Sequence, residues 1–138
     1  MLFELRRRML NASGETFEMT WDPQTRLAVL RFSAETHATG QDAAVLIAAL
    51  STWVGTGPEP FALLGDGERL RGVDAEYRSR WSGFLRQHKD RCFVAFFNMG
   101  PVIRIAAEMF RLGTGLRLRA FAKEKHARAW LRSIGIAA

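Results

Sequence analysis

The chain has 138 residues, of which 48% are hydrophobic and 25% are charged, a composition typical of a globular protein with a single core. Its formal charge of +6 comes from an excess of arginine, but the arginines are spread along the chain from Arg6 to Arg132, so nucleic acid is not an expected partner. The longest apolar run, residues 43–50, is too short to span a membrane, which takes about 20 residues.

One domain is expected over residues 1–138, with residues 1–16 as a basic N-terminal extension. No apolar run follows the basic cluster of this extension, so a secretory signal is not predicted. The single cysteine, Cys92, has no partner for an internal disulfide and lies in the apolar run CFVAFF, which predicts a buried thiol in a reducing compartment. A cytoplasmic protein is therefore expected.

A β-hairpin is the first predicted element. Phe17, Met19 and Trp21 alternate with polar residues, residues 22–25 supply a turn, and residues 27–32 form the second strand. This alternation indicates strands that bury one side against a core.

A helix is predicted over residues 41–54, ended by the glycines and proline of residues 55–58. Its apolar residues run around the whole circumference, whereas an ordinary surface helix has a polar stripe. Both sides of this helix are therefore expected to be buried. Three possibilities remain open for the second side: a neighbouring helix, a homodimer or partner interface, and the wall of an apolar pocket.

A short buried strand over residues 61–64 and a second amphipathic helix follow. Asp74 lies where an N-cap residue would begin this helix. Its apolar side is predicted at positions of helical spacing, which are Tyr77, Trp81, Phe84, Leu85 and His88.

The last third of the chain contains two more strands and two more helices. Residues 92–97 are continuously apolar, as in a central strand, and Pro101 then begins a helix. Residues 116–121 alternate as an edge strand would, and residues 123–133 form the closing helix. The helix after Pro101 is predicted to face the core with Val102, Ile105, Ala106, Met109 and Phe110.

The element order is therefore β-β-α-β-α-β-α-β-α. Alternation of strands and helices after an initial hairpin predicts an α/β fold with a mostly parallel five-stranded sheet and one antiparallel strand.

Three phrases follow one another along the chain: LLGDGERLRGVDAEYRSRW, CFVAFFNMGPVIRIAAEMF and LRAFAKEKHARAWL. In this order they resemble the SpoIIAA-like family of STAS/Sec14-type domains. The resemblance covers residues 17–133. It implies helices packed largely on one face of the sheet, and a protein that binds other proteins or small apolar ligands without catalysing a reaction.

In the anti-sigma-factor antagonists of this family, a serine that a kinase phosphorylates directly follows the aspartate at the start of the helix after the third strand. Aligning that aspartate with Asp74 places Ala75 at the position of the serine. The resemblance therefore implies a module that lacks the usual phosphorylatable serine. Ser79, one turn further on, is a remote substitute.

Charged residues surround this helix start, at what should be the carboxyl end of a strand, where open α/β sheets bind their ligands. A partner-binding surface is predicted here, formed by Asp66, Arg69, Arg71, Asp74, Glu76 and Arg78. The alternative for Asp74 and Glu76 is a purely structural role as helix caps.

No catalytic, metal or cofactor site is predicted. His37, His88 and His126 do not have the spacing of metal ligands, and no serine lies in a nucleophile elbow. The predicted function is a non-enzymatic regulatory module that binds a protein partner, and a homodimer is a further possibility. The alternative is a carrier or sensor of a small apolar ligand, with a pocket formed by Leu46, Leu50, Trp53, Phe84 and Phe97.

Overall fold

The computed structural model describes residues 9–138. Eight strands and four helices occur in this part of the chain. In chain order they are β1 (Leu10–Ser13), β2 (Phe17–Asp22), β3 (Leu27–Phe32), β4 (Thr36–Ala38), α1 (Gly40–Val54), β5 (Phe61–Asp66), β6 (Leu70–Val73), α2 (Ala75–Gln87), β7 (Cys92–Phe97), α3 (Pro101–Thr114), β8 (Leu118–Ala120) and α4 (Glu124–Ser133).

The main sheet has six strands in the order β1-β2-β3-β5-β7-β8. The pairs β1–β2 and β2–β3 are antiparallel, whereas the pairs β3–β5, β5–β7 and β7–β8 are parallel. Strands β4 and β6 form a separate parallel pair. The predicted α/β fold with a mostly parallel sheet is confirmed, but the main sheet has six strands where five were expected, because β1 adds a second antiparallel strand at its edge.

Three strands were not predicted. Strand β1 lies inside the segment expected to be an N-terminal extension, whose residues 1–8 are outside the described part of the chain. Strands β4 and β6 were expected to be loop. All three have three or four residues, and their pairing depends on backbone hydrogen bonds to distant segments, which side-chain patterns do not report.

The larger core lies between one face of the sheet and helices α1 and α2. Leu46 and Leu50 of α1 are fully buried and pack with Trp21, Phe61 and other strand residues. Helix α2 buries Trp81, Phe84 and Leu85 in the same cluster. Of the possibilities for α1, the structure shows the first, a neighbouring helix, because α1 packs against both the sheet and α2.

Helix α4 covers the opposite face of the sheet. Its Ala127 and Leu131 pack against Ala62 and Leu64 of β5 and against Ala95 of β7. Helix α3 joins α1 and α2 on the first face, where Ala107 packs against the larger core. Three of the four helices therefore share one face, as the resemblance implied.

The predicted core stripe of α3 is wrong. No residue of this helix is buried, and Val102, Ile105 and Met109 are exposed by 77%, 62% and 69%. Ala106 and Phe110 are also exposed. The periodicity correctly placed these residues on a broad apolar side of one helix, but it could not show that part of this side faces solvent.

Replacing Leu46 with alanine should strongly destabilise the fold, because its side chain is fully buried between α1 and the sheet. We expect the free energy of unfolding to fall by about 2–5 kcal/mol. Val45 on the same helix is 40% exposed, so Val45→Ala is the matched control and should change stability by about 0.5 kcal/mol or less. Urea unfolding measures both variants; equal losses would contradict the described packing of α1.

The buried thiol of Cys92 provides a prediction about pH. Burial raises the pKa of Cys92 to about 12, partly offset by the charge of Arg91. Because only the thiolate is nucleophilic, a thiol reagent at pH 8 should label the native protein far more slowly than the urea-unfolded protein. Above about pH 8.5 the unfolded thiol ionises while the folded thiol stays neutral, so this group should lower stability as pH rises towards 12. Cys92→Ala is the control for other titrating groups.

Candidate functional site

The carboxyl ends of the parallel strands meet at one edge of the sheet. Strand β5 ends at Asp66 and β7 ends at Phe97, and the pair β4–β6 lies next to the start of α2. The six residues of the predicted partner surface all lie between Asp66 and Arg78 and follow this edge. We call Asp66, Arg69, Arg71, Asp74, Glu76 and Arg78 the charged edge.

Asp66 is held by the fold. Its carboxylate accepts hydrogen bonds from Nη1 of Arg31 at 3.1 Å, from Nδ2 of Asn98 at 2.9 Å and from the backbone N–H of Glu68 at 3.0 Å. Nη2 of Arg31 also pairs with Glu124 at the start of α4 at 3.3 Å. Asp66 therefore joins β3, β5 and the end of β7, and its oxygens are occupied within the chain.

Arg69 and Arg71 attach the β5–β6 segment to the loop after β3. Arg71 donates to the Glu35 carboxylate at 2.6 Å and to the Glu68 carbonyl at 2.9 Å. This hydrogen bond and the charge of Arg71 hold the pKa of Glu35 below its usual range. Arg69 donates only a long bond of 3.5 Å to the Ser33 carbonyl. Arg71 and its ion-pair partner Glu35 are both exposed, so they remain accessible to another molecule.

Asp74 is the N-cap of α2, as predicted. One oxygen of its carboxylate accepts the N–H of Tyr77 at 2.7 Å, and the other accepts the N–H of Gly40, the first residue of α1, at 3.4 Å. A single carboxylate thus serves the N-termini of both helices, where negative charge is favourable.

Ala75 is the first residue of α2 and is exposed, as are Glu76 and Ser79. Glu76 pairs with Arg80 one turn later at 2.8 Å, while its side chain also lies against Gly40, where a Cβ would collide with it. The exposed start of α2 therefore presents a carboxylate and a guanidinium with no hydroxyl at its first position.

Arg78 connects the charged edge to an apolar cavity of about 450 Å³. The cavity lies between α2, the sheet and α3. Its walls include Leu30, Leu63 and Val94 from the sheet, Trp81 from α2, and Ile103 and Phe110 from α3. The volume is within the range of about 300–1,000 Å³ that is typical of small-molecule sites.

The five residues expected to form a ligand pocket do not line this cavity. Leu46, Leu50 and Phe84 are packed in the larger core, while Phe97 lies in the cluster on the opposite face. Trp53 stacks on Trp21 with ring centroids 6.3 Å apart. Periodicity marks such residues as buried, but it cannot distinguish a wall of packed side chains from a wall that borders open space.

The residues around the cavity were missed for a related reason. Ile103 and Phe110 lie on one apolar side of α3, and the exposed residues Val102, Ile105 and Met109 lie on a second apolar side next to it. Together the two sides are wider than a helix needs in order to pack against one face. This excess width of the apolar surface was the signal in the sequence that two sides of this helix have different surroundings.

No group of three or more histidine, cysteine, aspartate or glutamate side chains within residues 9–138 is arranged to hold a metal ion. In the same part of the chain, no helix has both the length and the apolar character to cross a membrane.

No protein-family model matches the chain, and the search of curated proteins found no match. Solved structures do match. A protein of the DUF3478 family with a SpoIIAA-like fold from Shewanella loihica is 14% identical and superposes with a TM-score of 0.64 over 90% of this chain and 92% of the other.

Two regulators are also similar. SiaC from Pseudomonas aeruginosa is 14% identical, with a TM-score of 0.56 over 83% of this chain and 99% of the other; a second structure shows it as the activator in complex with the diguanylate cyclase SiaD. The anti-sigma factor antagonist SpoIIAA is 16% identical, with a TM-score of 0.54 over 94% of this chain and 100% of the other. The resemblance seen in the sequence is confirmed at the level of the fold: this chain has the SpoIIAA-like fold.

Proposed function

We propose that this chain is a non-enzymatic, cytoplasmic regulatory module that binds another protein through the charged edge and the adjacent exposed side of α3. The similar proteins SiaC and SpoIIAA, described as an activator and an anti-sigma factor antagonist, support a regulatory role.

One observation carries the proposal. Val102, Ile105, Met109 and Leu112 recur at helical spacing on one side of α3 and are 62–77% exposed. We call these four residues the outer stripe. Monomeric proteins rarely leave such a contiguous group of large apolar side chains in water, and those that do commonly use it to bind a partner.

The outer stripe and the charged edge have the arrangement of an interface. Protein interfaces combine an apolar centre with a polar rim, and Arg78 belongs to the charged edge while also lining the cavity beneath α3. Arg69, Arg71 and Glu76 are exposed and supply the charged contacts in this proposal. Asp66 and Asp74 act indirectly, because their carboxylates hold the strand end and the helix start in place.

Regulation by phosphate at the first position of α2 is not part of this proposal, because Ala75 has no hydroxyl there. Glu76 places a fixed negative charge beside it, so binding at this helix start would be constitutive unless another event controls it. A second copy of the chain could occupy the same surface, and native mass spectrometry separates a homodimer from a complex with a different protein.

Exchanging two charges on the charged edge tests its role. Arg71→Glu combined with Glu76→Arg preserves the net charge but reverses the local pattern, and we expect the partner that co-purifies from the native host to bind about tenfold more weakly or to be lost. Both ion pairs that are broken are exposed, so the cost in stability should be about 1 kcal/mol or less.

The matched control is Lys89→Glu combined with Asp90→Arg, in an exposed turn at the opposite end of the sheet. It makes the same exchange of charge and should retain the partner. If both double variants bind the partner like the unmodified chain, the charged edge is not the binding surface.

Polar substitution in the outer stripe tests whether these exposed apolar residues form the centre of the interface. Ile105→Ser combined with Met109→Ser should weaken partner binding by about 2 kcal/mol or more, as expected for the centre of an interface, while the free energy of unfolding changes by only about 0.5 kcal/mol. Val45→Ser on α1 is the control for an exposed apolar residue outside the surface. Titration calorimetry and urea unfolding provide the two quantities; unchanged affinity would count against α3 as the centre.

A second candidate function is a carrier or sensor of a small apolar ligand. The cavity beneath α3, with its almost entirely apolar walls, supports it. In this proposal the ligand lies between the sheet and α3, and not among the residues first expected to bind it. A small-molecule mass that native mass spectrometry detects, and that gentle organic extraction removes, would support this function.

A further inference from the structure

We propose that the cavity beneath α3 binds a long-chain carboxylic acid, with the carboxylate held by Trp81 and Arg78 on α2 and the aliphatic chain lying between the sheet and α3. This inference rests on the second function proposed above and names its ligand class.

The first observation is an unpartnered donor. Trp81 is 8% exposed and lines the cavity, and its indole Nε1–H is buried and forms no hydrogen bond of normal geometry among the described residues, although it lies close enough to the Tyr77 hydroxyl to favour the ionised form of that group. Its ring instead packs edge-on against the rings of Tyr77 and Phe84, with centroids 6.3 and 5.9 Å away. Buried indole donors usually have a partner, so this N–H favours a ligand that brings an oxygen into the cavity.

The second observation is that the charge in the cavity wall is positive. Among the described residues that line the cavity, Arg78 is the only charged one. Its Nη1 donates to the Val73 carbonyl at 3.1 Å, which fixes the side chain at the mouth while the other guanidinium N–H groups form no hydrogen bond within the described residues. A single cation with free donors favours an anionic ligand head, and its planar guanidinium matches a carboxylate.

The third observation is that the two donors belong to the same side of one helix. Trp81 follows Arg78 by three residues on the same helix, and residues at this spacing lie on one side of a helix. The other polar groups of the wall, those of Tyr77 and Ser82, are also on α2. Polar groups therefore line one wall, and a ligand head is expected on that wall.

The remaining walls suit an aliphatic chain. The strands contribute Leu30, Leu63 and Val94, and α3 contributes Ile103 and Phe110 from its inner side. None of these groups can form a hydrogen bond through its side chain. A molecule with one anionic end and an otherwise apolar body fits this arrangement, whereas a neutral oil would leave the Trp81 donor and the Arg78 charge unused.

The test uses the full chain after gentle organic extraction, titrated by calorimetry with palmitate and with its neutral analogue hexadecanol. We expect palmitate to bind and hexadecanol to bind at least about tenfold more weakly. Arg78→Gln should reduce palmitate affinity about tenfold and leave that of hexadecanol unchanged, because only the charged interaction is lost.

Trp81→Phe isolates the donor, since it removes the N–H and keeps an aromatic ring. We expect it to weaken palmitate binding about tenfold, while the melting temperature of the ligand-free chain changes little, because the N–H forms no hydrogen bond of normal geometry within the described chain. Met109→Ser, on the outer stripe, is the control for palmitate that adheres to the exposed side of α3 and should leave affinity unchanged.

Three results would overturn the inference: no binding of palmitate, equal binding of palmitate and hexadecanol that is insensitive to Arg78→Gln, or binding that Met109→Ser removes. Failure here is distinguishable from failure of the carrier function. If extraction removes a neutral apolar molecule from the native protein, the carrier function still holds, but a long-chain carboxylic acid is excluded as its ligand. The protein-docking function is tested by separate variants and does not depend on this result.

Discussion

The pairing of strand β5 on both of its edges is the constraint on which the rest of the structure depends. Phe61–Asp66 forms parallel ladders with β3 on one side and β7 on the other. Phe61 and Leu63 face the larger core, while Ala62 and Leu64 face α4, so neither face of this strand can be left in water. At Gly65 a Cβ would come within 2.8 Å of the Phe96 ring, which shows how closely the strands and their side chains are packed there.

The charged edge follows from this arrangement, because parallel strands release the chain at the same edge of the sheet. Asp66 ends β5 and pairs with Arg31 on β3, and Asp74 serves the first turns of α1 and α2 together. These two carboxylates hold the frame and are occupied. The exposed Arg71 and Glu76 are bound only to partners that are themselves in solvent, so they are free to exchange those partners for groups on another protein.

Helix α3 has two apolar sides, and each has different surroundings. Its inner side covers a cavity and its outer stripe faces water, so the described residues leave both sides incompletely packed. Burial of apolar area is the main favourable term in association as well as in folding. The two proposed functions therefore use the same helix from opposite sides: a ligand beneath α3 and a protein over it.

The sequence by itself determined the features that depend on short segments. Alternation identified the hairpin of β2 and β3, and the apolar run CFVAFF identified a buried strand that contains Cys92. Asp74 was identified as a cap because capping depends on the chemistry of a few consecutive residues. The phrases that resemble a known family placed these segments in one fold, and the structural comparisons confirm that fold.

Only the tertiary structure decided what lies opposite each apolar side. Leu46 and Ile103 both belong to apolar sides of helices, yet one is packed in the core and the other borders a cavity. Strands β4 and β6 exist because backbone groups far apart in the chain meet. The unpartnered Trp81 donor has the same origin. Periodicity fixes which residues share a side, whereas burial, open space and unmet hydrogen bonds depend on long-range packing, which no local pattern encodes.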